Sequence, residues 1–185
     1  MKVLLLNGSP RKNGCTYTAL NVVADALKAE GIDAEVFQAG DPDMENVKAA
    51  AAKLKDSDAL VVGSPVYWAS PSGQIIEFMD RLASVAGKDM LYKPAAAVAS
   101  ARRAGTTATL DVLTKYFSYH QMPVVSSCYW NMVHGNTPEE VMKDEEGVQI
   151  MRVLGKNMAW LLKCIEAGKK NGVAVPAAEA VSYTH

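Results

Sequence analysis

The chain has 185 residues, of which 49% are hydrophobic and 21% are charged, and 19 basic against 20 acidic residues give a net charge of −1. This composition is that of one globular domain over residues 1–185, and it excludes a disordered or collagen-like chain. The near-neutral charge gives little long-range field, so no nucleic-acid partner is expected. No apolar run approaches the roughly 18 residues that span a bilayer, and no signal peptide is recognisable, so we expect no membrane partner and a cytoplasmic location.

The thiols and imidazoles of the sequence show no metal-ligand spacing, so no bound metal is expected. The three cysteines are Cys15, Cys128 and Cys164. The three histidines are His120, His134 and His185. We interpret the histidines as surface or loop residues and the two later cysteines as packing residues.

Short apolar runs alternate with helical patterns along the chain. The first run, Val3 to Leu6, is continuously apolar, as expected for a strand buried on both faces, and it ends at the turn sequence Asn7-Gly8-Ser9-Pro10. Further strands are predicted at 34–37, 59–63, 94–99 and near 124–125. Helices are predicted over 20–27, 41–55, 75–82, 110–117 and 150–165.

This alternation predicts an α/β fold, a flavodoxin-like, doubly wound five-stranded parallel sheet with helices on both faces. In such sheets ligands bind beyond the carboxyl ends of the strands. We therefore expect function in three loops, the first loop (residues 7–16), the second loop (residues 64–73) and the third loop (residues 100–106).

The first loop leaves a buried strand and enters a helix, so backbone N–H groups and the helix dipole converge on one point. Such a point binds an anion, most often a phosphate, and the hydroxyl and cationic side chains here add donors. The alternative is a turn with Asn13 or Thr16 capping the helix. The predicted phosphate contacts are Ser9, Arg11, Asn13, Gly14, Cys15 and Thr16.

The spacing of this loop narrows the choice of phosphate ligand. Gly8 and Gly14 do not have the Walker A spacing, and no lysine follows the second glycine. The G-x-G-x-x-G fingerprint of dinucleotide binding is also absent. A terminal monophosphate remains, such as that of FMN.

The second loop places two aromatic residues between prolines, a natural wall for a flat heterocycle. The alternative is that Tyr67 and Trp68 only pack the loop against the protein, and for Trp68 the two interpretations stay balanced. The predicted contacts, chiefly through the backbone, are Pro65, Val66, Tyr67, Trp68 and Ala69.

The third loop carries two arginines and a glycine beyond the fourth strand. A cation or an N–H group near a flavin stabilises the negative charge formed on reduction. Alternatively, one arginine binds the 2′-phosphate of NADPH, or both are solvated. The predicted contacts are Ser100, Arg102, Arg103 and Gly105.

Three segments resemble one known family, the NADPH-dependent FMN reductases, and within it the iron–sulfur flavoprotein and multimeric flavodoxin branch. They are residues 8–14 with Thr16, the sequence Pro65-Val66-Tyr67-Trp68, and residues 73–81. The resemblance implies a flavodoxin-like fold, non-covalent FMN, and NAD(P)H as electron donor for reduction of flavin, quinones or similar acceptors. It also implies a homodimer or homotetramer with flavins near the subunit contacts.

The sequence departs from the family pattern at two places. Members with a cluster carry a compact run of cysteines after the second strand, and residues 38–45 here contain none, so no iron–sulfur cluster is expected. Cys15 stands where the family usually has a small polar residue. We interpret it as a site-lining residue whose thiol pKa the helix N-terminus could lower.

The leading hypothesis is therefore an FMN-dependent oxidoreductase that uses NAD(P)H to reduce a small acceptor. The chemistry is the cofactor's, so no catalytic side chain is assigned. The alternatives are a flavodoxin-type electron carrier, which a net charge of −1 disfavours, and a nucleotide- or phosphate-sensing module on the same fold.

The sequence also suggests an interface between copies of the chain. The predicted exposed apolar surface is larger than one flat ligand would cover. It comprises the apolar helix over 75–82, the aromatics Tyr67 and Trp68, and residues 129–133. A loop of the neighbouring copy, over 130–135, would then cover the flavin.

Overall fold

A computed structural model of the protein describes residues 1–177, and within them six strands and six helices follow one another. The strands are β1 (Lys2–Asn7), β2 (Asp33–Gln38), β3 (Ala59–Tyr67), β4 (Ser70–Pro71), β5 (Ala95–Ala101) and β6 (Met132–His134). The helices are α1 (Cys15–Ala29), α2 (Met44–Lys55), α3 (Gly73–Met90), α4 (Thr106–Tyr119), α5 (Pro138–Lys143) and α6 (Glu145–Lys170). The prediction of one domain over 1–185 extends beyond this range and stays a prediction.

Five of the strands form a parallel sheet in the order β2-β1-β3-β5-β6, and the short β4 pairs antiparallel with the end of β3. The flavodoxin-like, doubly wound five-stranded sheet is thereby confirmed. The chain moves outward from β1 to β2 and then returns to the other side of β1 with β3. The loops after β1 and β3 consequently part at this reversal, which opens a crevice at the carboxyl edge.

Each face of the sheet has its own apolar core. Val3 and Leu5 of β1 pack with α1 and α6, whereas Leu4 and Leu6 pack with α2, α3 and α4. All four side chains are fully buried. The continuous apolar run of β1 therefore follows from burial on both faces of a period-two strand.

The fifth strand lies later in the chain than predicted. Val124 forms only an isolated bridge to Ala95, and the regular pairing with β5 is made by β6, from Ala99↔Met132 onward. Between these points the chain leaves the sheet edge, and the Asn131 side chain donates from Nδ2 to the Ala97 carbonyl at 3.0 Å. The predicted position near 124–125 therefore holds a single parallel bridge with backbone hydrogen bonds to Ala95 on either side, and the regular strand begins only at Met132.

Two helical features also differ from the sequence predictions. Helix α5 was not predicted, although Thr137 accepts a hydrogen bond from the Glu140 N–H at 3.3 Å and Pro138 stands at the first helical position, which together form a start signal. The apolar side of α3, predicted to be available at the surface, is fully buried: its residues are Ile75, Phe78, Met79 and Leu82. Among residues 1–177, no helix is long and apolar enough to cross a membrane.

Candidate functional site

A cleft lies at the carboxyl edge of the sheet, where the first, second and third loops meet the end of β6. Ten predicted residues line it: Ser9, Arg11, Gly14, Cys15, Thr16, Pro65, Val66, Tyr67, Ser100 and Arg102. Five predicted residues do not: Asn13, Trp68, Ala69, Arg103 and Gly105. Three lining residues were missed by the sequence analysis: Ala101, Gly135 and Asn136.

The first loop is held from within by Asn7, a fully buried residue at the end of β1. Its Nδ2 donates to Gln38 Oε1 at 2.7 Å and to the carbonyls of Arg11 and Lys12 at 3.3 Å. The Gln38 Nε2 in turn donates to the Ser9 carbonyl at 2.6 Å. The course of the loop is thus fixed by side chains of two neighbouring strands.

Close packing by two glycines also shapes the first loop. A Cβ on Gly40 would lie 2.0 Å from the Ser9 carbonyl oxygen, and one on Gly8 would lie 2.6 Å from Ile75 Cγ1. Only a residue without a side chain fits either position. Gly40 was not identified from the sequence, because its partner lies on the loop after a different strand.

The first turn of α1 faces the cleft without a side-chain cap. Gly14 is the N-cap residue and supplies no side-chain oxygen, so the alternative in which Asn13 or Thr16 caps the helix does not hold. Thr16 and Ser100 bring their hydroxyls to 2.7 Å from each other, both buried. The helix N–H groups, these hydroxyls and the Arg11 guanidinium form a donor set that suits a phosphate, so the cleft fits the phosphate end of FMN.

The cysteines differ from their sequence-based interpretation. Burial raises the pKa of the Cys15 thiol, and the nearby Arg11 offsets this only in part. The lowered pKa that a helix N-terminus could give is therefore not found. Cys128 and Cys164 are exposed, so their interpretation as packing residues was wrong.

The second loop is a tight hairpin in which Val66 pairs with Pro71 and Tyr67 pairs with Ser70. Its two turn residues, Trp68 and Ala69, have positive φ values of 51° and 58°. Such a conformation is uncommon and costly for residues other than glycine, and it clusters at functional sites.

The two aromatics of this hairpin have different surroundings. Tyr67 lines the cleft and is 40% exposed, whereas Trp68 is 100% exposed. The interpretation in which Trp68 packs the loop down is therefore excluded. At the base of the hairpin, Ser72 Oγ donates to the Gly8 carbonyl at 2.9 Å, which joins the second loop to the first.

The third loop is tied to its neighbours at two points. Gly105 has a φ of +96°, and a Cβ there would lie 2.6 Å from Ala69 Cα, so this glycine packs the third loop on the second. The Arg103 carbonyl oxygen lies 3.1 Å from His134 Nε2. Of the two arginines, only Arg102 lines the cleft. Arg103 and Gly105 lie outside the lining and hold the third loop in place.

The missed lining residues Gly135 and Asn136 follow β6. The Gly135 N–H donates to the Ala101 carbonyl at 3.0 Å, and the Asn136 N–H donates to Glu140 Oε2 at 2.7 Å. The sequence Thr137-Pro138-Glu139-Glu140 was a readable signal for this turn, because a threonine followed three residues later by a glutamate is typical of a helix start. It was missed because the fifth strand was placed too early in the chain.

Of the three histidines, the structure describes His120 and His134. His120 is buried, which contradicts its interpretation as a surface or loop residue, and His185 lies outside the described residues. Over residues 1–177, no three side chains of the His, Cys, Asp and Glu types gather in a metal-binding arrangement.

Comparison with known proteins agrees with this geometry. Residues 1–137 match the family model described as NADPH-dependent FMN reductase. An iron–sulfur flavoprotein of Methanocaldococcus jannaschii is 29% identical over 192 residues, covering 90% of this chain and all of that protein. An NADPH azoreductase of a Bacillus species is 30% identical over 108 residues, 55% of this chain and 59% of that enzyme.

The fold has solved counterparts. A WrbA-like flavodoxin from Agrobacterium tumefaciens superposes with a TM-score of 0.69 at 18% identity, covering 88% of this chain and 97% of that one. The superposition establishes the fold, and the match of residues 1–137 to the family model establishes the family. The chain belongs to the NADPH-dependent FMN reductase family and is a flavodoxin-like, FMN-dependent oxidoreductase.

Proposed function

We propose that the protein binds FMN in the cleft and uses NAD(P)H to reduce flavin, quinone or a similar small acceptor by hydride transfer. The observation that carries this proposal is the uncapped start of α1 beside Ser9, Arg11, Thr16 and Ser100. When bound, FMN supplies the two-electron chemistry between the pyridine nucleotide and the acceptor. The role of this chain is to bind, orient and electrostatically support the cofactor.

The two ends of the cleft suit the two ends of FMN. At the phosphate end, the N–H groups of α1 donate to oxygen atoms and Arg11 supplies a positive charge. At the ring end, Tyr67 offers an aromatic surface, and Arg102 is placed to stabilise negative charge that develops on reduction. Arg103 and Gly105 lie next to this end, where they hold the third loop against His134 and Ala69.

The charge of the cleft favours an enzyme over the alternative, a flavodoxin-type carrier. Two arginines and no acidic residue are found among its described lining residues. Carriers of that type dock to partner proteins through an acidic surface around the flavin. A cationic rim instead suits the anionic phosphates of a pyridine nucleotide.

An anaerobic titration tests this proposal. The purified protein should show a flavin absorbance spectrum, and NADPH or NADH should bleach it in a two-electron step. Bound FMN that resists both nucleotides but accepts electrons from a reductase protein would favour the carrier. A protein without any flavin spectrum after loading with FMN would favour the phosphate-sensing module.

We also propose that the protein functions without an iron–sulfur cluster, in contrast to the relative named as an iron–sulfur flavoprotein. Its three cysteines lie apart, at the start of α1, in the segment before β6, and in α6. Metal analysis of anaerobically purified protein should find no stoichiometric iron, and visible cluster absorption would contradict the proposal. These unpaired thiols are also typical of a cytoplasmic protein, which is the location that we propose.

For the assembly we propose a homodimer or homotetramer. Support comes from the aromatics Trp68, Tyr129 and Trp130, which are at least half exposed. The segment available to a second copy is shorter than 130–135, since β6 pairs within its own sheet and Gly135 lines the cleft of its own chain. Light scattering at micromolar concentration decides: a stable 19.8 kDa monomer that keeps FMN and turnover would contradict this assembly.

A further inference from the structure

The hydroxyl of Thr16 has a different partner from several other hydroxyls on the helices. Four of those donate to the carbonyl oxygen four residues earlier: Thr18, Ser84, Thr114 and Ser118. The corresponding acceptor for Thr16 is the Lys12 carbonyl, which instead accepts from Asn7 Nδ2 at 3.3 Å. Within residues 1–177, the one hydrogen-bond partner of Thr16 Oγ1 is Ser100 Oγ, at 2.7 Å. The local bond that would turn this hydroxyl back onto its own helix is therefore not made.

The carbon atoms of Thr16 are held in place as well. Its Cγ2 lies against Gly63 of β3, where a Cβ would come within 2.9 Å of this methyl group. Thr16 is 1% exposed, and Ser100 near the end of β5 is 3% exposed. A β-branched side chain has few χ1 rotamers, so the methyl contact with β3 and the hydroxyl contact with β5 together fix its orientation.

The two hydroxyls carry one proton more than their mutual hydrogen bond uses. Each hydroxyl can donate once and accept twice, and one of the two O–H groups serves the 2.7 Å contact. In the part of the chain that the structure describes, neither oxygen has another hydrogen-bond partner, and both residues line the cleft. The second proton is consequently available to a ligand in the cleft. A phosphate group offers strong acceptor oxygens and suits this donor.

The positions of the two residues decide which hydroxyl donates to the ligand. Thr16 belongs to the first turn of α1, whose N–H groups have no side-chain cap, whereas Ser100 belongs to β5. An anion at the helix start therefore meets the Thr16 hydroxyl beside those N–H groups. When Thr16 donates to this anion, its lone pairs remain to accept the Ser100 proton. Both protons are then used, and two hydrogen bonds in one chain strengthen each other.

We propose that Ser100 is a positioning residue for FMN: it donates to Thr16 and thereby directs the Thr16 proton toward the phosphate of the cofactor. This inference rests on the proposed function, in which the phosphate lies at the start of α1. Ser100 acts through Thr16 and does not itself contact the phosphate. It therefore favours the phosphorylated flavin over riboflavin and adds nothing to the binding of the ring.

A double-mutant cycle on the full chain tests this role, with FMN and riboflavin dissociation constants measured by flavin fluorescence in a buffer without phosphate or sulfate. Thr16→Val keeps the methyl contact with Gly63 and removes the outer donor, so FMN affinity should fall about tenfold or more. Ser100→Ala should lower it about three- to fivefold, because the hydrogen bond to Thr16 is lost. Riboflavin affinity should stay unchanged in both variants, since riboflavin has no phosphate.

The double variant separates an indirect role of Ser100 from a direct one. If Ser100 acts through Thr16, Ser100→Ala has no further effect on FMN affinity once Thr16→Val is present. If Ser100 itself donates to the phosphate, its loss still weakens FMN binding in that background, and this outcome would overturn the proposal. Equal losses for FMN and riboflavin in Ser100→Ala would also overturn it, because they would indicate a displaced cleft wall.

Ser57→Ala is the matched control for Ser100→Ala. Ser57 is also buried and donates to the Lys53 carbonyl at 2.7 Å, but it lies between α2 and β3 and does not line the cleft. Ser57→Ala should lower the free energy of unfolding and leave both flavin affinities unchanged. Urea unfolding accompanies every variant, and if Thr16→Val does not fold, Thr16→Ala gives the same cycle with a residue that favours helices.

Arg11→Ala distinguishes failure of this role from failure of the proposed function. If FMN binds elsewhere, Arg11→Ala leaves FMN affinity unchanged, and the position of FMN is refuted together with the role of Ser100. If Arg11→Ala weakens FMN but not riboflavin while Ser100→Ala weakens neither, the cleft binds the phosphate and only the positioning role is overturned.

Discussion

The first and third loops border the same cleft, but they are held in place differently. The first loop is held by hydrogen bonds from three side chains: Asn7 of β1, Gln38 of β2 and, through the Gly8 carbonyl, the buried Ser72 at the start of α3. The third loop is supported by the partly exposed His134 and by Gly105 packing on another loop. The end of the cleft formed by the first loop is therefore held by several side-chain hydrogen bonds, whereas the end formed by the third loop depends on fewer contacts, which single substitutions can remove.

The largest loss of FMN affinity is expected from a substitution that displaces the first loop. In Gly40→Ala, the new Cβ would meet the Ser9 carbonyl oxygen at 2.0 Å and force the first loop away from its position. Overpacking of this kind costs about 3 kcal/mol of folding stability at its upper end. A first loop that shifts to relieve the clash no longer matches FMN, and we expect FMN affinity to fall by up to about a hundredfold. Urea unfolding measures the loss of folding stability, and FMN titration measures the loss of affinity.

Gly73→Ala is the matched control for this substitution. A Cβ there meets nothing within 4 Å, and the residue begins α3, so alanine should leave stability unchanged or raise it slightly. Similar losses of FMN affinity in both variants would contradict a rigid first loop shaped by close packing.

The second prediction concerns the charge at the phosphate end. Arg11→Ala should weaken FMN binding about tenfold or more, since it removes a charge-assisted contact, and should leave riboflavin binding unchanged because riboflavin lacks the phosphate. Lys12→Ala, which removes the same charge from a neighbour outside the cleft lining, should have a much smaller effect. Calorimetric titrations with both ligands measure the affinities. Equal losses of affinity for FMN and riboflavin would refute the proposal that Arg11 binds the phosphate.

The third prediction uses the thiol at the start of α1. Because burial raises the pKa of Cys15, its thiolate fraction near pH 8 is small. Iodoacetamide should therefore modify it about three- to tenfold more slowly than the exposed Cys128 and Cys164, with a rate that rises as pH rises. Peptide mapping by mass spectrometry follows all three in one sample, and fastest modification at Cys15 would indicate a pKa lowered by the helix instead.

The smallest effect is expected at the hairpin that supports the third loop. Ala69→Gly should stabilise the protein by about 0.5–1 kcal/mol, since glycine adopts the positive φ of this position without strain. The same substitution at the exposed Ala49 within α2 should destabilise by about 1 kcal/mol. Thermal unfolding of both variants shows whether one substitution raises stability and the other lowers it. A loss of stability in Ala69→Gly would mean that the turn is not strained.

The site could be predicted from the sequence where its signals are local. The first loop and the hairpin around Tyr67 each follow directly from a continuous apolar strand, and most of their predicted residues line the cleft. Arg103 and Gly105 were predicted as cofactor contacts but lie beside the cleft lining, since their contacts with His134 and Ala69 join segments far apart in the chain. The same holds for Asn7, whose polar side chain after a strand is consistent with many roles.

The sequence by itself determined the alternation of strands and helices, the parallel sheet and the turn that leads from β1 into α1, because periodicity and turn chemistry act over a few neighbouring residues. Only the tertiary structure decided that the apolar side of α3 is buried, that β6 begins at Met132, and that Gly135 borders the cleft. Each of these depends on which surface a segment meets across the sheet. The physical reason is that burial and edge pairing are properties of two surfaces in contact, and one segment of sequence describes only one of them.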